Sequence, residues 1–541
     1  MRHGPGKRAS AVALGTFQLA AKTALELLAT CAIALMLPAL APAAELKVAL
    51  SGEVTSLDPH FHNIQPNNIV ALHLFDALVL PGTGDGQLRP GLAESWRALD
   101  DTTWEFRLRR GVKFHDGSEL SSADVAFSLK RTETIANSPG PFVTFTKQIT
   151  SIVVVDAHTI RLKTAAPYPL MPNDMSNIYI VPRRTASTAD FDSGKAAIGT
   201  GPFRLLRYAR GDRIELARND AYWGGRAPWE KATLRIITSD PSRVAALLSA
   251  EVDAIENVPT SYLAKLKQNQ SISLFRAVSN RVIFLFADYA RDVSPFVTAK
   301  SGKPLERNPL KDLRVRRAIS RAINRPGIVE RVMDGEAVAA GQLLPDNYPE
   351  ASPALKVEPF DPEGARKLLA EAGYPDGFGL TLHGPNNRYV NDEQVLQALA
   401  QMLARIGIAT RVEAMPVNVF FSRQARLEFS ASMMGWGGGI GTVATYLRPL
   451  LATYNPELGM GTNNYSRYSS ARMDAVLMQA LATIDDGRRG ALLRQATEIA
   501  IGDLGIIPLY HQVNIWATRK GIAYSARADE RTLATGFKPA P

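Results

Sequence analysis

From about residue 280 onward the chain alternates between helical and extended periodicity, which restricts it to α/β architectures. "DLRVRRAISRAI" (312–323) puts Val315, Ala318, Ile319, Ala322 and Ile323 on one helical face. "DPEGARKLLAEAG" (361–373) has Asp361 as N-cap, Pro362 in the first turn and Gly373 at the stop. "DEQVLQALAQMLARIG" repeats the plan and ends at Gly407, before the strand "IATRVEAM". "NRVIFLFADY" reads as a buried strand, "SMMGW" as another, and "IIPLYHQVNIWATR" as a closing one. The part before 280 is mostly extended. In "TWEFRLRRGVKFHDG", Trp104, Phe106 and Leu108 share one face, and Val112 and Phe114 follow a glycine break. "SIVVVDAHTIRLKT" reads as two strands joined at Asp156–His158. An extended-rich first part and a helix-rich second part predict two lobes.

The first residues read as an export signal: Arg2, Lys7 and Arg8 precede the apolar run "LLATCAIALMLPAL", and "APAA" supplies small residues for cleavage after Ala43 or Ala44. Those 43 residues carry four basic and one acidic residue, so the rest of the chain keeps +7 of the total +10. Its basic residues are scattered rather than gathered in one stripe, which argues against nucleic-acid binding. The single cysteine, Cys31, leaves with the leader, so the mature chain has no thiolate nucleophile or thiolate metal site. No second apolar stretch reaches membrane-spanning length, and a soluble exported protein is expected.

"MMGWGGGIGTVATY" (433–446) is the stretch whose chemistry is least obvious. From Gly435 or Gly437, no glycine falls at the last position of a dinucleotide fingerprint, and the Gly-Lys-Ser/Thr of a P-loop is absent. The run does lie just past the C-terminal end of a strand, the edge where open α/β sheets bind ligands. His60 and His62 in "DPHFHNIQPNN" (58–68) are too few for a metal site, since such ions usually take three or four protein ligands. "FHDG" (114–117) is not a catalytic pair, because neighbours on a strand point to opposite faces. No G-x-S-x-G or H-E-x-x-H occurs. Neither a cofactor nor a metal is expected, and no catalysis.

"GLAESWRALDDTTWEFRLRRGVKFHDGSELSSADVAFSLKR" (91–131), "GTGPFRLLRYARGDRIELARNDAYWGG" (199–225), "LRVRRAISRAINR" (313–325) and "DPEGARKLLAEAGYPDGF" (361–378) follow one another at familiar spacings. Through them the chain resembles the large periplasmic solute-binding proteins of ABC importers, the peptide/nickel/opine class. The resemblance implies an α/β protein of two lobes with a ligand cleft between them. It places the signal at 1–43, lobe I at 44–279 with a β-rich insertion at about 58–185, lobe II at 280–512, and a return to lobe I at 513–541. The crossings fall near 279–281 and 512–515. It further implies a periplasmic monomer that hands a small-molecule ligand to an inner-membrane permease. A nickel-chelate carrier, a secreted enzyme on the same scaffold and a periplasmic chaperone or receptor accessory are the competing readings.

In peptide-binding relatives "GW" is followed, after two intervening residues, by an aspartate that meets the ligand's ammonium; here Gly439 stands there. A buried ammonium without a carboxylate costs several kcal/mol, so the resemblance implies a modified or amine-free ligand bearing an acid, an ordinary di- or oligopeptide with another amine anchor being the alternative. The ligand contacts it implies are Trp436 as a flat wall, Gly437, Gly438 and Gly439 as bare backbone, and Thr442. Arg388 in "GPNNRYVND" would meet an acid, with Asn386, Asn387 and Tyr389 adding hydrogen bonds, and Phe61 and Asn63 facing the cleft from the 58–68 turn. For Arg388 the alternative is a solvated loop arginine.

Overall fold

Two long antiparallel strands, Ile272–Ala287 and Ile507–Arg519, run side by side through the middle of a twelve-stranded mixed sheet. The computed structural model describes Met1 and residues 45–82, 86–184, 187–437 and 441–540. On one flank of the long pair lie Ala431–Trp436, Gly379–Pro385 and Val297–Thr298. On the other lie Ala254–Ile255, Glu45–Leu50, Lys231–Ile236, Arg213–Arg218 and Phe203–Ala209. A separate four-stranded sheet takes Ala93–Asp100, Thr103–Leu108, Thr159–Thr164 and Ile149–Asp156. Trp104, Phe106 and Leu108 are all buried there, as their alternation predicts.

The helices form where the caps place them. Asp361 accepts the Gly364 N–H at 2.8 Å and opens Pro362–Glu371, while Asp312 accepts the Arg314 N–H at 2.8 Å and opens Leu313–Ala322. Val315, Ala318, Ile319 and Ala322 are buried on one face of the latter. The strand expected from residue 280 is longer than its sequence suggests and starts at Ile272. Its first half mixes apolar and polar residues without a regular alternation and is only partly buried, which weakens the pattern.

Apolar packing falls into groups on either side of a break in the long pair. Residues 46–272 and 515–537 build two buried clusters, and residues 282–510 build the others, with Leu170 joining the latter. The ladder is regular from Ile272↔Arg519 to Val278↔Val513 and resumes at Val282↔His511, so Ser279, Asn280 and Arg281 stand opposite one residue, Gln512. Such a bulge bends and re-aims a strand.

Buried histidines tie distant segments together in their neutral form. His73 Nδ1–H donates to Ile69 O at 2.7 Å, and Nε2 accepts the Ala534 N–H at 2.9 Å, so a second ring proton would face a donor. Burial pushes its pKa down to about 4. The contribution of the neutral ring is therefore complete above about pH 6.5 and is lost as pH falls toward 4, by about 2–3 kcal/mol at pH 4.5. Between pH 7.5 and 4.5 the unmodified protein is expected to lose that much more stability than His73→Gln. Urea unfolding of both at the two pH values checks this, and equal losses would contradict it.

Candidate functional site

Parallel pairing of Gly379–Pro385 with Ala431–Trp436, at Leu382↔Ala431 and His383↔Ser432, brings two of the singled-out segments to the same end of the sheet. Tyr389 then crosses from one to the other, its hydroxyl donating to Gly435 O at 3.1 Å. The glycine at 435 leaves the room, because a Cβ there would lie 2.7 Å from Tyr389 Cε1. Trp436, half-buried at the end of its strand, is fixed by Nε1 donating to Thr445 O at 3.0 Å.

At Gly437 the bare backbone accommodates Arg281. A Cβ at 437 would come within 3.3–3.4 Å of Arg281 Cβ, Cζ and Nη2. Gly441, at φ +67°, serves a second close approach: a Cβ there would lie 2.2 Å from Gly86 Cα. The described part of the run thus packs against a guanidinium at one end and against another loop's backbone at the other. Gly438 and Gly439 lie outside the described residues.

Arg281 stands at the bulge of the long strand and is joined to Glu530 by two hydrogen bonds, Nε to Oε1 at 3.1 Å and Nη2 to Oε2 at 2.9 Å. Ser279 Oγ donates to Glu530 Oε1 at 2.6 Å, and Gln65 Nε2 donates to Glu530 O at 2.7 Å. Gln65 from 58–68 and Gly437 from the glycine run thus touch one ion pair, and Tyr389 from 384–392 reaches the same strand end through Gly435. Burial works against the Arg281 charge, yet Glu530 more than offsets it and raises the pKa above its ordinary value. Glu530 is likewise opposed by burial and held below its usual range by Arg281 and Ser279.

Arg388 has a different environment. Its backbone N–H donates to Asp392 Oδ2 at 2.9 Å, and its guanidinium carbon lies 5.8 Å from the Tyr389 ring centroid. Among the described residues no carboxylate is within ion-pair distance of it. The side chain is exposed to solvent but crowded by protein, and that desolvation, followed by the nearby positive charge of Arg281, lowers its pKa. Two carboxylates bonded to groups that flank the glycine run are already engaged. Glu530 is taken by Arg281, and Glu350 accepts from Thr442 Oγ1 at 2.9 Å and Val443 N at 2.6 Å.

Several expected ligand contacts have partners within the protein. The Thr442 hydroxyl is committed to Glu350, and the Tyr389 hydroxyl to Gly435. Asn387 Oδ1 accepts the Val417 N–H at 2.8 Å, while exposed Asn386 uses its backbone N–H on Met415 O. Asn63 Oδ1 accepts from Asn68 Nδ2 at 2.8 Å, and the Phe61 carbonyl accepts from Ser138 Oγ. Among the described residues no hydrogen bond links Phe61 or Asn63 to Arg388 or Trp436. His60 is buried between Tyr179 O (2.7 Å) and Arg131 (3.1 Å), and no group of three or more His, Cys, Asp or Glu among the described residues is placed to hold a metal ion. His115 bonds Gly199 N and Gly201 O across the "FHDG" turn.

Arg281 and Glu530 are the residues that sequence reasoning missed. For Arg281 there was a signal, a lone charge heading the apolar run "VIFLF". For Glu530, 251 residues beyond Ser279, there was none.

Comparison with known proteins places these features in a wider set. The model of the "Bacterial extracellular solute-binding proteins, family 5 Middle" matches residues 87–457. Heme-binding protein A of Haemophilus influenzae is 28% identical over 481 residues, 82% of this chain and 83% of its own. Glutathione-binding protein GsiB of Escherichia coli strain K12 is 29% identical over 529 residues, 95% of each. The solved structure of HbpA2 from Haemophilus parasuis superposes with a TM-score of 0.76 at 24% identity, covering 92% of this chain and 100% of that one.

Proposed function

The chain belongs to the bacterial extracellular solute-binding proteins of family 5, substrate-binding components of ABC importers, and on that premise we propose that it carries a small peptide-like or modified organic solute bearing an acid. Its fold is the two-lobed α/β fold of that family, and its relatives are binding proteins rather than enzymes. Family members are periplasmic. Among the described residues no helix is long and apolar enough to cross a membrane. The leader ending at Ala43 or Ala44, the lobes 44–279 with 513–541 and 280–512, monomeric state and delivery to an inner-membrane permease complete the proposal.

The observation that carries it is the charge arrangement at the end of the sheet. Arg388 has no carboxylate partner among the described residues, whereas Glu530 and Glu350 are both occupied. A ligand acid gains a planar two-pronged donor there. A ligand ammonium would meet no free carboxylate in Glu530 or Glu350 and would regain only part of its hydration from neutral backbone carbonyls. Glutathione and heme, named for the two sequence relatives, each carry two carboxyl groups, which supports the acid. Glutathione also carries a free ammonium, which keeps a peptide carrier with another amine anchor as the alternative reading.

The test is native mass spectrometry of the purified protein for a co-purifying solute, followed by calorimetric titration of dialanine and N-acetyl-dialanine. Blocking the amine is expected to leave affinity equal or improved. A clear preference for the free amine would return the reading to an ordinary peptide carrier whose amine is anchored elsewhere.

A further inference from the structure

We propose that Arg281 sets the charge preference of the cleft: by holding Glu530 in a two-bond pair it keeps that carboxylate from any ligand ammonium, leaving the positive charge of Arg388 for a ligand acid. This rests on the acid-bearing reading of the same site and names the residue that enforces it.

The geometry is specific. Both side chains are nearly enclosed, Arg281 at 15% and Glu530 at 10% of their accessible surface. Ser279 adds its hydroxyl to Glu530 at 2.6 Å and also accepts the Arg281 backbone N–H at 2.8 Å, so acid and base are held by one serine at the bulge. Glu530 occupies the left-handed region at φ +63°, which a residue with a side chain rarely adopts, and the Gln65 side chain holds its carbonyl. Gly437 lets the Arg281 side chain lie against the Trp436–Gly437 backbone. Arg388 feels both members of the pair, repelled by Arg281 and attracted by Glu530. Arg281, Glu530 and Arg388 together carry one net positive charge, apart from the Asp392 carboxylate, which accepts the Arg388 and Tyr389 N–H groups. Without Arg281 these three sum to zero and the Glu530 carboxylate loses its partner base; without Glu530 they sum to two positive charges.

Competition between N-acetyl-dialanine, an anion, and dialanine amide, a cation, read by native mass spectrometry, tests this on four proteins. The unmodified protein is expected to prefer the anion. Arg281→Gln should cut that preference by about tenfold or more, the scale of one partly desolvated charge interaction, and Glu530→Gln should widen it. The double variant Arg281→Gln/Glu530→Gln removes acid and base together and should recover most of the preference through Arg388, which a merely structural role for Arg281 does not predict. It also keeps the test valid if Arg281→Gln alone folds poorly with Glu530 unpaired. An anion preference that is the same in all four proteins overturns the role of Arg281 and leaves the acid-bearing reading standing. A preference of the unmodified protein for the cation overturns that reading itself.

Discussion

Arg388→Ala is expected to weaken binding of the co-purifying solute by about 2–5 kcal/mol, the usual consequence of stranding a charge in a closed cleft. Unligated stability should barely change. The Arg388 guanidinium has no carboxylate partner among the described residues, and the contact that orders its loop, backbone N–H to Asp392, survives the truncation. Arg388→Lys should recover only part of the affinity, because a point charge lacks the planar fork. Calorimetry on the three proteins checks this. An unaltered affinity in Arg388→Ala would assign the residue to the solvated surface.

Arg131→Met is expected to destabilise the protein by about 3–5 kcal/mol, through the opposite mechanism. Arg131 is bonded to Asp58 at 2.7 Å through both Nη atoms, with 5% and 0% of the two side chains exposed. Thr188 Oγ1 and the His60 N–H also donate to that carboxylate, and the guanidinium packs 4.9 Å from the Phe191 ring centroid. Burial alone would raise the Asp58 pKa; the bonds and charge of Arg131 reverse this and bring it below the ordinary value. Methionine keeps much of the packing volume but leaves an uncompensated buried carboxylate. The double variant Asp58→Asn/Arg131→Met removes both charges and should be milder than the single one. Urea unfolding of the three proteins decides it. A loss within about 0.5 kcal/mol for Arg131→Met would mean the site is wetter than its burial implies.

The 58–68 turn illustrates where sequence reasoning stops. "DPHFHN" announces a turn, and Phe61 and Asn63 are reasonable ligand contacts from family position alone. What the turn does in the protein depends on Arg131, 73 residues away, and on Gln65 reaching Glu530. Nothing local in the sequence encodes either partner. Tyr389 and Thr442 are similar cases. Both have the chemistry of ligand contacts, and both spend their hydroxyls on neighbours, Gly435 and Glu350, that only the folded chain supplies.

The sequence by itself determined the elements and their ends. Asp312 and Asp361 cap their helices, Gly373 and Gly407 stop theirs at φ +93° and +94°, and Trp104, Phe106 and Leu108 alternate into a core. These follow from interactions within one turn of helix or one strand, so a short window contains all the information. The resemblance of whole segments added the two-lobed fold. Tertiary structure alone decided the charge logic of the site. It set Glu530 against Arg281 at the bulge, left Arg388 without a carboxylate partner among the described residues, and made room at Gly437 for the guanidinium. The physical reason is that whether a buried charge attracts or repels a ligand depends on its partners and its solvation, and both are set by segments hundreds of residues apart in the chain.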